Sequence, residues 1–207
     1  MDVLPQCSRC PRLVAHRHAL RARFPAYHNA PVLAWGEPRP ALLIVGLAPG
    51  LHGANASGYP FVGDAAGGLL LDTLAGAGFA VPTARRPGWR LVGCRITNAV
   101  KCLPPGNRPL AAEVNACNDW LRAELAALPP GALLLALGTV AHRAVLRALV
   151  LRQRAHPFAH GALHALPQGL RLLDSYHCSR YNVHTGRLTP AMLAEVVQRA
   201  RALLELP

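Results

Sequence analysis

The feature that most constrains the fold is a set of short apolar segments that alternate along the chain with longer segments of helical periodicity. Each apolar segment is bounded by turn residues, which is typical of strands buried on both faces of a sheet. The predicted strands are Ala41–Val45, Gly93–Thr97, Ala132–Leu137 and Leu170–Ser175. Because strands that alternate with helices are joined by right-handed crossovers, this order predicts a three-layer α/β/α protein with a central four-stranded parallel sheet.

The longer segments between and after these strands are predicted helices. They are Ala65–Ala77, Ala111–Leu128, Val140–Leu149 and Pro190–Leu204. Thr139 and Thr189 are predicted to cap the last two helices, and Pro190 suits a first helical turn. Two further segments, Val81–Leu91 and Leu151–Gly169, show no clear periodicity and are predicted to be loops.

Glycine and polar residues follow the predicted strands at the edge where parallel sheets bind their ligands. The first strand leads into GLAPGLHGANASGYPFVGD, residues 46–64, the second into Asn98, and the fourth into a segment that contains His177. The tight turn Gly46–Gly50 carries no acid, base or nucleophile. A ligand at this edge would therefore meet backbone groups of the first loop and side chains from the other strand ends.

Composition limits the class of protein and the kind of partner. A chain of 207 residues can bury a core without disulfides, and we expect one domain over residues 1–207 with an N-terminal arm over residues 1–40. The formal net charge of +12 predicts a polyanionic partner such as nucleic acid, although an arginine- and alanine-rich composition can also reflect the coding DNA. No apolar run reaches the roughly 20 residues of a membrane span, and the N-terminus lacks the order of a signal peptide. We expect a cytoplasmic protein that makes no membrane contact.

Four of the six cysteines have a spacing that suits a metal or cluster site. Cys7 and Cys10 form C-x2-C, whereas Cys102 and Cys117 are separated by fourteen residues. Four thiolates from two distant segments fit a tetrahedral metal ion or a [4Fe-4S] cluster, and spacing alone does not choose between them. Buried free cysteines are the remaining alternative, because a reducing cytoplasm disfavours disulfides. The cysteines outside this pattern are expected to pack as small hydrophobic side chains: Cys94 and Cys178.

Three segments, each at a predicted strand end, resemble motifs of the uracil-DNA glycosylase superfamily, most closely its family 5, the B-type enzymes. They are GLAPGLHGAN with GYPFVGD, then ITNAVKCLPP with its NRP continuation, and finally HCSRYNVHTGRLTP. With the cysteines they extend from about residue 7 to residue 190. The resemblance implies a four-stranded parallel sheet between helices, a structural iron–sulfur cluster and excision of uracil from DNA.

The resemblance also implies a cofactor and a substrate range. The cluster ligands would be Cys7, Cys10, Cys102 and Cys117, with zinc as the less favoured occupant. Family-4 relatives carry a carboxylate in the first motif, where this chain has Ala48, and many relatives have His-Pro-Ser where this chain has HCSRYN. Both departures favour family 5 and argue against a general base in the first loop. We expect the family's breadth beyond uracil, to hypoxanthine and xanthine.

Breaking the bond between deoxyribose and uracil builds negative charge on the leaving base, so the reaction needs fixed donors more than a strong base. The backbone from Gly46 through Leu47 and Ala48 to Gly50 is predicted to bind the base and to donate N–H groups toward uracil O2. The imidazole of His177 is predicted to donate there as well, with a core histidine as the alternative reading.

Three further side chains are assigned to the base and the water. Phe61 is predicted to stack on the flipped base, or else to be ordinary core. Asn98 is predicted to bind the N3–H and O4 edge of uracil, with a turn-capping role as the alternative. Asp64 either orients the attacking water or simply caps the helix that follows it.

The segment after His177 is predicted to contact double-stranded DNA that contains deaminated bases, with the protein acting as a monomer. The residues assigned to DNA are Ser179, Arg180, Tyr181, Asn182, His184 and Arg187. Three alternatives stay open: a family-4 type enzyme restricted to uracil, a non-catalytic metal-stabilised DNA-binding protein, and a nucleotide-binding protein. The last is weakest because GLAPG lacks the Lys-Ser/Thr of a P-loop.

Overall fold

The structure is a computed structural model that describes residues 3–205. Its strands are β1 (Trp35–Gly36), β2 (Leu42–Gly46), β3 (Ala80–Pro82), β4 (Trp89–Leu91), β5 (Cys94–Asn98), β6 (Leu133–Leu137), β7 (Leu163–Ala165) and β8 (Arg171–Ser175). Its α-helices are α1 (Pro11–Arg23), α2 (Ala54–Ser57), α3 (Ala65–Gly76), α4 (Ala111–Ala126), α5 (Thr139–Ala148), α6 (Arg180–His184) and α7 (Pro190–Glu205). Short 3-10 turns lie at Leu4–Gln6, Pro105–Asn107, Gln153–Ala155 and Pro167–Gly169.

The central sheet has the strand order β1-β5-β2-β6-β8-β7. Strands β5, β2, β6 and β8 pair in parallel, so the predicted four-stranded parallel sheet and the α/β class are confirmed. Two short antiparallel strands, β1 and β7, extend its edges, and β3 and β4 form a separate hairpin. These strands have only two or three residues, too few for a periodicity to show, which is why Val81–Leu91 and Leu151–Gly169 were predicted to be loops.

Helices cover both faces of the sheet, and alternate residues of each strand face the two layers. On β2, Leu42 and Ile44 pack in one apolar cluster with residues of α3 and α7, whereas Leu43 and Val45 pack in another with residues of α4 and α5. Every residue of β2 is buried, as expected for a parallel strand covered on both sides. Between residues 3 and 205 we find no helix long and apolar enough to span a membrane.

Two predicted caps have different outcomes. The Oγ1 of Thr189 accepts a hydrogen bond from Met192 N at 3.2 Å, as predicted for a residue that caps α7. Thr139 is not a cap, because α5 begins one residue earlier than predicted and Gly138 occupies the cap position with a φ of 93°. A Cβ at Gly138 would lie 3.3 Å from Cβ of His177, so a glycine lets the chain turn into the helix beside that histidine.

The single lysine of the chain ties the segment after β5 to α4. Lys101 has no exposed surface, and its Nζ donates to both carboxylate oxygens of Glu124 at 2.8 Å and to Thr97 Oγ1. The Thr97 hydroxyl in turn donates to Glu124 Oε2 at 2.9 Å. A buried ammonium group is tolerated only when its charge is paired and its protons are hydrogen-bonded, and this network meets both needs.

Removing the carboxylate charge is therefore expected to destabilise the fold. We expect Glu124→Gln to lower the free energy of unfolding by about 3 kcal/mol, the low end for buried ion pairs, because Glu124 retains some exposure. Urea denaturation followed by circular dichroism measures the change. Arg122→Gln breaks an exposed ion pair with Asp119 on the same helix and should cost less than about 0.5 kcal/mol. Equal losses in the two variants would contradict the buried-pair explanation.

Candidate active site

A cavity of about 690 Å³ lies at the carboxyl ends of the parallel strands. Its wall contains residues of all three sequence motifs, so the strand-end prediction brought together the correct parts of the chain. The predicted residues that line it are Leu47, Ala48, Gly50, Phe61, Asp64, Asn98, His177, Ser179, Arg180, Asn182 and Arg187. Such a concave site, largely apolar with a few polar groups, is the usual form of a small-molecule pocket.

The first loop lines this cavity and has unpaired backbone donors. The carbonyl groups of Gly46, Leu47 and Gly50 accept hydrogen bonds at 2.9–3.0 Å from the backbone N–H groups of Ala99, Val100 and Asn55. The N–H groups of Leu47, Ala48 and Gly50, by contrast, have no acceptor within the part of the chain that the structure describes. The loop is thus held by its carbonyl groups, and its donors are left for a ligand.

Asn98 stands at the end of β5, directly beside Gly46 in the parallel register. The side chain is 3 % exposed, and its Oδ1 has no hydrogen-bond partner among residues 3–205. A Cβ at Gly46 would overlap both Asn98 Oδ1 and the Phe61 ring. A buried acceptor without a partner is costly, which marks this oxygen as one that a ligand would satisfy.

Phe61 belongs both to the apolar core and to the wall of the cavity. The side chain is 8 % exposed and packs in the apolar cluster beneath α3, yet it also lines the cavity. Its ring centroid lies 5.8 Å from that of His177. The backbone of Phe61 has a φ of 57°, and a Cβ at Gly67 would overlap its carbonyl group, so Gly67 permits this uncommon conformation.

His177 follows β8 and faces Phe61 across the cavity wall. Burial lowers the pKa of this imidazole below its ordinary value of 6.5, and the nearby Asp64 carboxylate opposes the shift. A neutral ring at pH 7 follows, with one N–H to donate. The backbone carbonyl of His177 accepts from Asn182 Nδ2 at 2.8 Å, which fixes the start of the segment after it.

Asp64 is the N-cap of α3, and its Oδ1 accepts from Gly67 N at 2.8 Å. The other oxygen lies against the first loop, because a Cβ at Gly53 would overlap Oδ2 and one at Gly50 would come within 3.0 Å of it. The capping alternative is therefore observed, but it occupies only one of the two carboxylate oxygens. The second oxygen remains beside the cavity.

The segment 179–187 forms one rim of the cavity. Ser179 caps α6 by accepting from Asn182 N at 3.3 Å, and Arg187 lies over the Tyr176 ring at 4.9 Å. The cavity lining does not include three of the predicted residues: Tyr181, which is 73 % exposed, His184 and Gly46. The rim thus carries arginines at the cavity and an exposed aromatic ring outside it.

Sequence reasoning missed part of the cavity wall. Among the lining residues that were not assigned to the site, Thr139 lies two residues after the end of β6 and Tyr176 directly follows β8, so strand-end position could have identified them. Asn107 belongs to the NRP continuation of the second motif. Phe158 lies in the segment that was predicted to be a loop, where no pattern in the sequence points to it.

Cys7, Cys10, Cys102 and Cys117 line one small cavity between α1 and α4. Backbone N of Lys101 donates to Cys117 Sγ at 3.3 Å, and Arg17 Nη1 lies 3.7 Å from Cys102 Sγ. Burial raises the pKa of the Cys102 thiol to about 12 and that of Cys117 to about 11. Cys94 and Cys178 are buried elsewhere, as predicted.

The sulfur positions indicate the size of group that this cavity suits. Around a tetrahedral zinc ion, neighbouring sulfur atoms are about 3.8 Å apart, given Zn–S bonds of about 2.3 Å. Within residues 3–205, no three of the four sulfur atoms lie within 4.8 Å of one another. Arg17 Nε is buried beside them without a partner, as expected where an anionic group is to be held. Four thiols in one cavity, with the Arg17 side chain beside them, are a donor set suited to a metal ion or a cluster.

A second group with metal-binding residue types has another explanation. His142 and His164 place ring nitrogens 2.8 and 3.2 Å from the two oxygens of the buried Asp174 carboxylate. The other nitrogen of His142 lies 2.9 Å from the carbonyl oxygen of His156. Both ring nitrogens of His142 are thus engaged by oxygen atoms of the protein, and the three side chains form a buried hydrogen-bonded network.

Comparison with known proteins identifies the family. The model of the uracil DNA glycosylase superfamily matches residues 17–201. A type-5 uracil-DNA glycosylase of Thermus thermophilus is 44 % identical, covering 98 % of this chain and 96 % of the relative. One from Pyrobaculum aerophilum is 43 % identical, covering 96 % of this chain and 89 % of the relative. A type-4 enzyme of P. aerophilum is 34 % identical over 70 % of this chain and 62 % of its own length. The chain therefore belongs to the uracil DNA glycosylase superfamily and, within it, to the type-5 enzymes.

Proposed function

We propose that this protein excises uracil from DNA by hydrolysing the N-glycosidic bond of a flipped nucleotide, leaving an abasic site. The observation that carries the proposal is the unpartnered Oδ1 of Asn98, which shares one cavity with His177 and the free N–H groups of the first loop. A uracil base supplies a donor for the Asn98 oxygen, and it supplies acceptors for His177 and for the N–H groups of the first loop. The names of the type-5 relatives support the same reaction.

Recognition of the base is assigned to Asn98 and Phe61. The carbonyl oxygen of Asn98 accepts from uracil N3–H, and its amide nitrogen donates to O4, an arrangement that the edge of cytosine does not match. The Phe61 ring covers one face of the base and replaces the neighbours that it loses on leaving the stack. Gly46 keeps the space beside both side chains clear.

Bond breaking is assigned to donors that meet the charge developing on uracil O2. Preorganised donors of this kind contribute about 3–4 kcal/mol each in acyl-transfer enzymes. The backbone N–H groups of Leu47, Ala48 and Gly50 and the neutral imidazole of His177 line the same cavity. No acid or base is required of the first loop, so a methyl group at Ala48 is compatible with catalysis.

Asp64 is proposed to orient the attacking water with the carboxylate oxygen that does not cap α3. The cap fixes the side chain, and the second oxygen lies over the first loop beside the cavity. This arrangement gives one residue two compatible roles. The cationic sugar of the transition state is stabilised by phosphates of the DNA itself.

DNA binding is assigned to the rim at Ser179–Arg187. Arg180 and Arg187 line the cavity and can meet phosphates, while Tyr181 is exposed in a position to enter the base stack. Asn182, Ser179 and His184 complete this segment. The net charge of +12 supports binding to duplex DNA, and the protein is proposed to act as a monomer.

A broader substrate range is also proposed, with hypoxanthine and xanthine accepted beside uracil. Ala48 leaves the cavity wall small at the first motif, and the cavity volume of about 690 Å³ leaves room for a purine. Comparing release of hypoxanthine and of uracil from matched duplexes separates this range from that of a uracil-restricted enzyme.

We further propose that Cys7, Cys10, Cys102 and Cys117 hold a [4Fe-4S] cluster, which would hold the N-terminal arm against α4. The wide spacing of the sulfur atoms and the unpartnered Nε of Arg17 support it. The cysteine cavity also adjoins the first loop, since Ala48 packs against the apolar cluster that includes Cys117. The cysteine site would thus help to hold the first loop in place through its contact with Ala48.

The reaction is tested with a duplex that carries a single uracil, measuring free uracil by chromatography. We expect the wild-type protein to release uracil and His177→Ala to turn over about 100- to 1,000-fold more slowly, because one donor to the leaving base is lost. DNA affinity measured by fluorescence anisotropy should stay near the wild-type value. Tight, salt-sensitive binding without any release by the wild type would indicate the non-catalytic alternative.

The role of Asp64 is tested with Asp64→Asn, which can still cap α3. We expect turnover to fall about 100-fold or more because the carboxylate that orients water is lost, while the melting temperature stays close to that of the wild type. Asp72→Asn, an exposed change on the same helix, serves as the matched control and should alter neither quantity. Near-normal turnover of Asp64→Asn with an intact fold would remove the catalytic role.

The cluster is tested by metal analysis and visible absorbance of the purified protein. We expect about four iron atoms per chain and a brown colour, both lost in Cys102→Ala because the cluster needs all four thiolates. Cys94→Ala removes a buried cysteine outside the site and should retain the iron. A colourless wild-type protein that contains stoichiometric zinc would contradict the assignment.

A further inference from the structure

The N-terminal arm contacts the first loop through a pair of buried asparagines. Asn55 lies on α2 within the first motif, and its Nδ2 donates to Asn29 Oδ1 at 2.9 Å. The backbone N–H of Asn29 donates to the Asn55 carbonyl at 3.2 Å, and His28 N donates to Ala56 O at the same distance. Asn29 and Asn55 are 1 % and 2 % exposed, so water does not compete for these bonds.

The arm side of the pair is itself fixed. Asn29 has a φ of 44°, and its Nδ2 donates to the carbonyl groups of Phe24 at 2.7 Å and Tyr27 at 3.3 Å. Arg21 Nε donates to Asn29 O at 3.2 Å, which connects this turn to the last turn of α1. Asn29 therefore offers its remaining acceptor, Oδ1, from a turn that cannot shift without breaking several hydrogen bonds.

The loop side of the pair leads directly to the backbone donors. Asn55 N donates to Gly50 O at 3.0 Å, and Gly50 is one of the three residues whose own N–H group is free. Holding Asn55 thus fixes the Gly50 carbonyl group, in the peptide next to the one that carries the free Gly50 N–H group. A second contact in the same direction joins the Tyr27 hydroxyl to His52 Nδ1 at 2.9 Å.

We propose that Asn29 and Asn55 are positioning residues, through which the N-terminal arm holds the donors of the first loop in the geometry needed at the leaving base. The inference rests on the proposed glycosylase reaction. α1 begins directly after Cys10 and spans about 20 Å, so the same helix connects the cysteine site to this pair. Neither asparagine lines the cavity, and both act through the backbone of the loop.

A purely structural pair would lower stability without a selective effect on turnover. Asn118 provides the comparison, because it is also a buried asparagine, 2 % exposed, whose Nδ2 donates to a backbone carbonyl, that of Ala144 at 2.8 Å. It joins α4 to α5 and, among residues 3–205, makes no hydrogen bond to the first loop. Asn118→Ala removes the same kind of buried hydrogen bond at a place where positioning is not expected.

The experiment compares Asn55→Ala, Asn29→Gly, their double variant and Asn118→Ala in single-turnover release of uracil. Glycine at position 29 keeps the positive φ accessible while removing the amide. We expect the single-turnover rate constant to fall about 10- to 100-fold in Asn55→Ala, because small displacements of catalytic groups carry costs of that size. The double variant should be no slower than Asn55→Ala, and affinity for abasic product DNA should be unchanged.

Asn118→Ala should keep the wild-type rate constant while its melting temperature falls as much as that of Asn55→Ala. Equal effects of Asn55→Ala and Asn118→Ala on turnover, or independent effects of Asn29→Gly and Asn55→Ala, would overturn the proposal. Hydrogen exchange of residues 50–58 gives a readout that does not need activity, and it should accelerate in Asn55→Ala but not in Asn118→Ala. If the wild type released no uracil, the proposed function would fail. Unchanged hydrogen exchange in Asn55→Ala would separately contradict the positioning role of Asn29 and Asn55.

Discussion

The cavity depends on the parallel pairing of β2 with β5, which places Gly46 directly beside Asn98. Because Gly46 has no side chain, the Asn98 amide and the Phe61 ring occupy the space that a Cβ would take. The same turn then directs its carbonyl groups into hydrogen bonds with the protein and leaves its N–H groups free. One glycine at a strand end thus makes room for the two side chains that we propose to read and cover the base, and it precedes the donors that we propose to stabilise it.

Burial around this turn supplies the rest of the chemistry. Burial by protein atoms lowers the pKa of the His177 imidazole, so the ring is neutral at pH 7 and has one N–H group to offer a ligand. Ala48 separates the cavity from the cluster of apolar residues around Cys117, so the base pocket and the cysteine site share one wall. The methyl group of Ala48 therefore packs against the apolar residues around Cys117 on one side and takes up little of the cavity on the other.

The sequence predicted the elements that carry strong local patterns, and it predicted less well where tertiary contacts decide the outcome. Four apolar runs were enough for the central sheet, and their ends located most of the cavity wall. The strands β3, β4 and β7 are too short for any periodicity, and Phe158 reaches the cavity only because the chain folds back beside α5. Asp64 shows the limit at a single residue, since a cap and a catalytic carboxylate have the same sequence pattern and here the two oxygens of one side chain face different partners.

The burial of Lys101 has a consequence for the fate of the product. Enzymes that cut the strand at a baseless sugar attack its C1′ aldehyde with a free amine and form an imine, from which the 3′ phosphate is eliminated. The only lysine of this chain is enclosed in an ion pair with Glu124 and has no surface to offer. Lys101 therefore has no free amine to form an imine with the DNA unless its ion pair with Glu124 is broken.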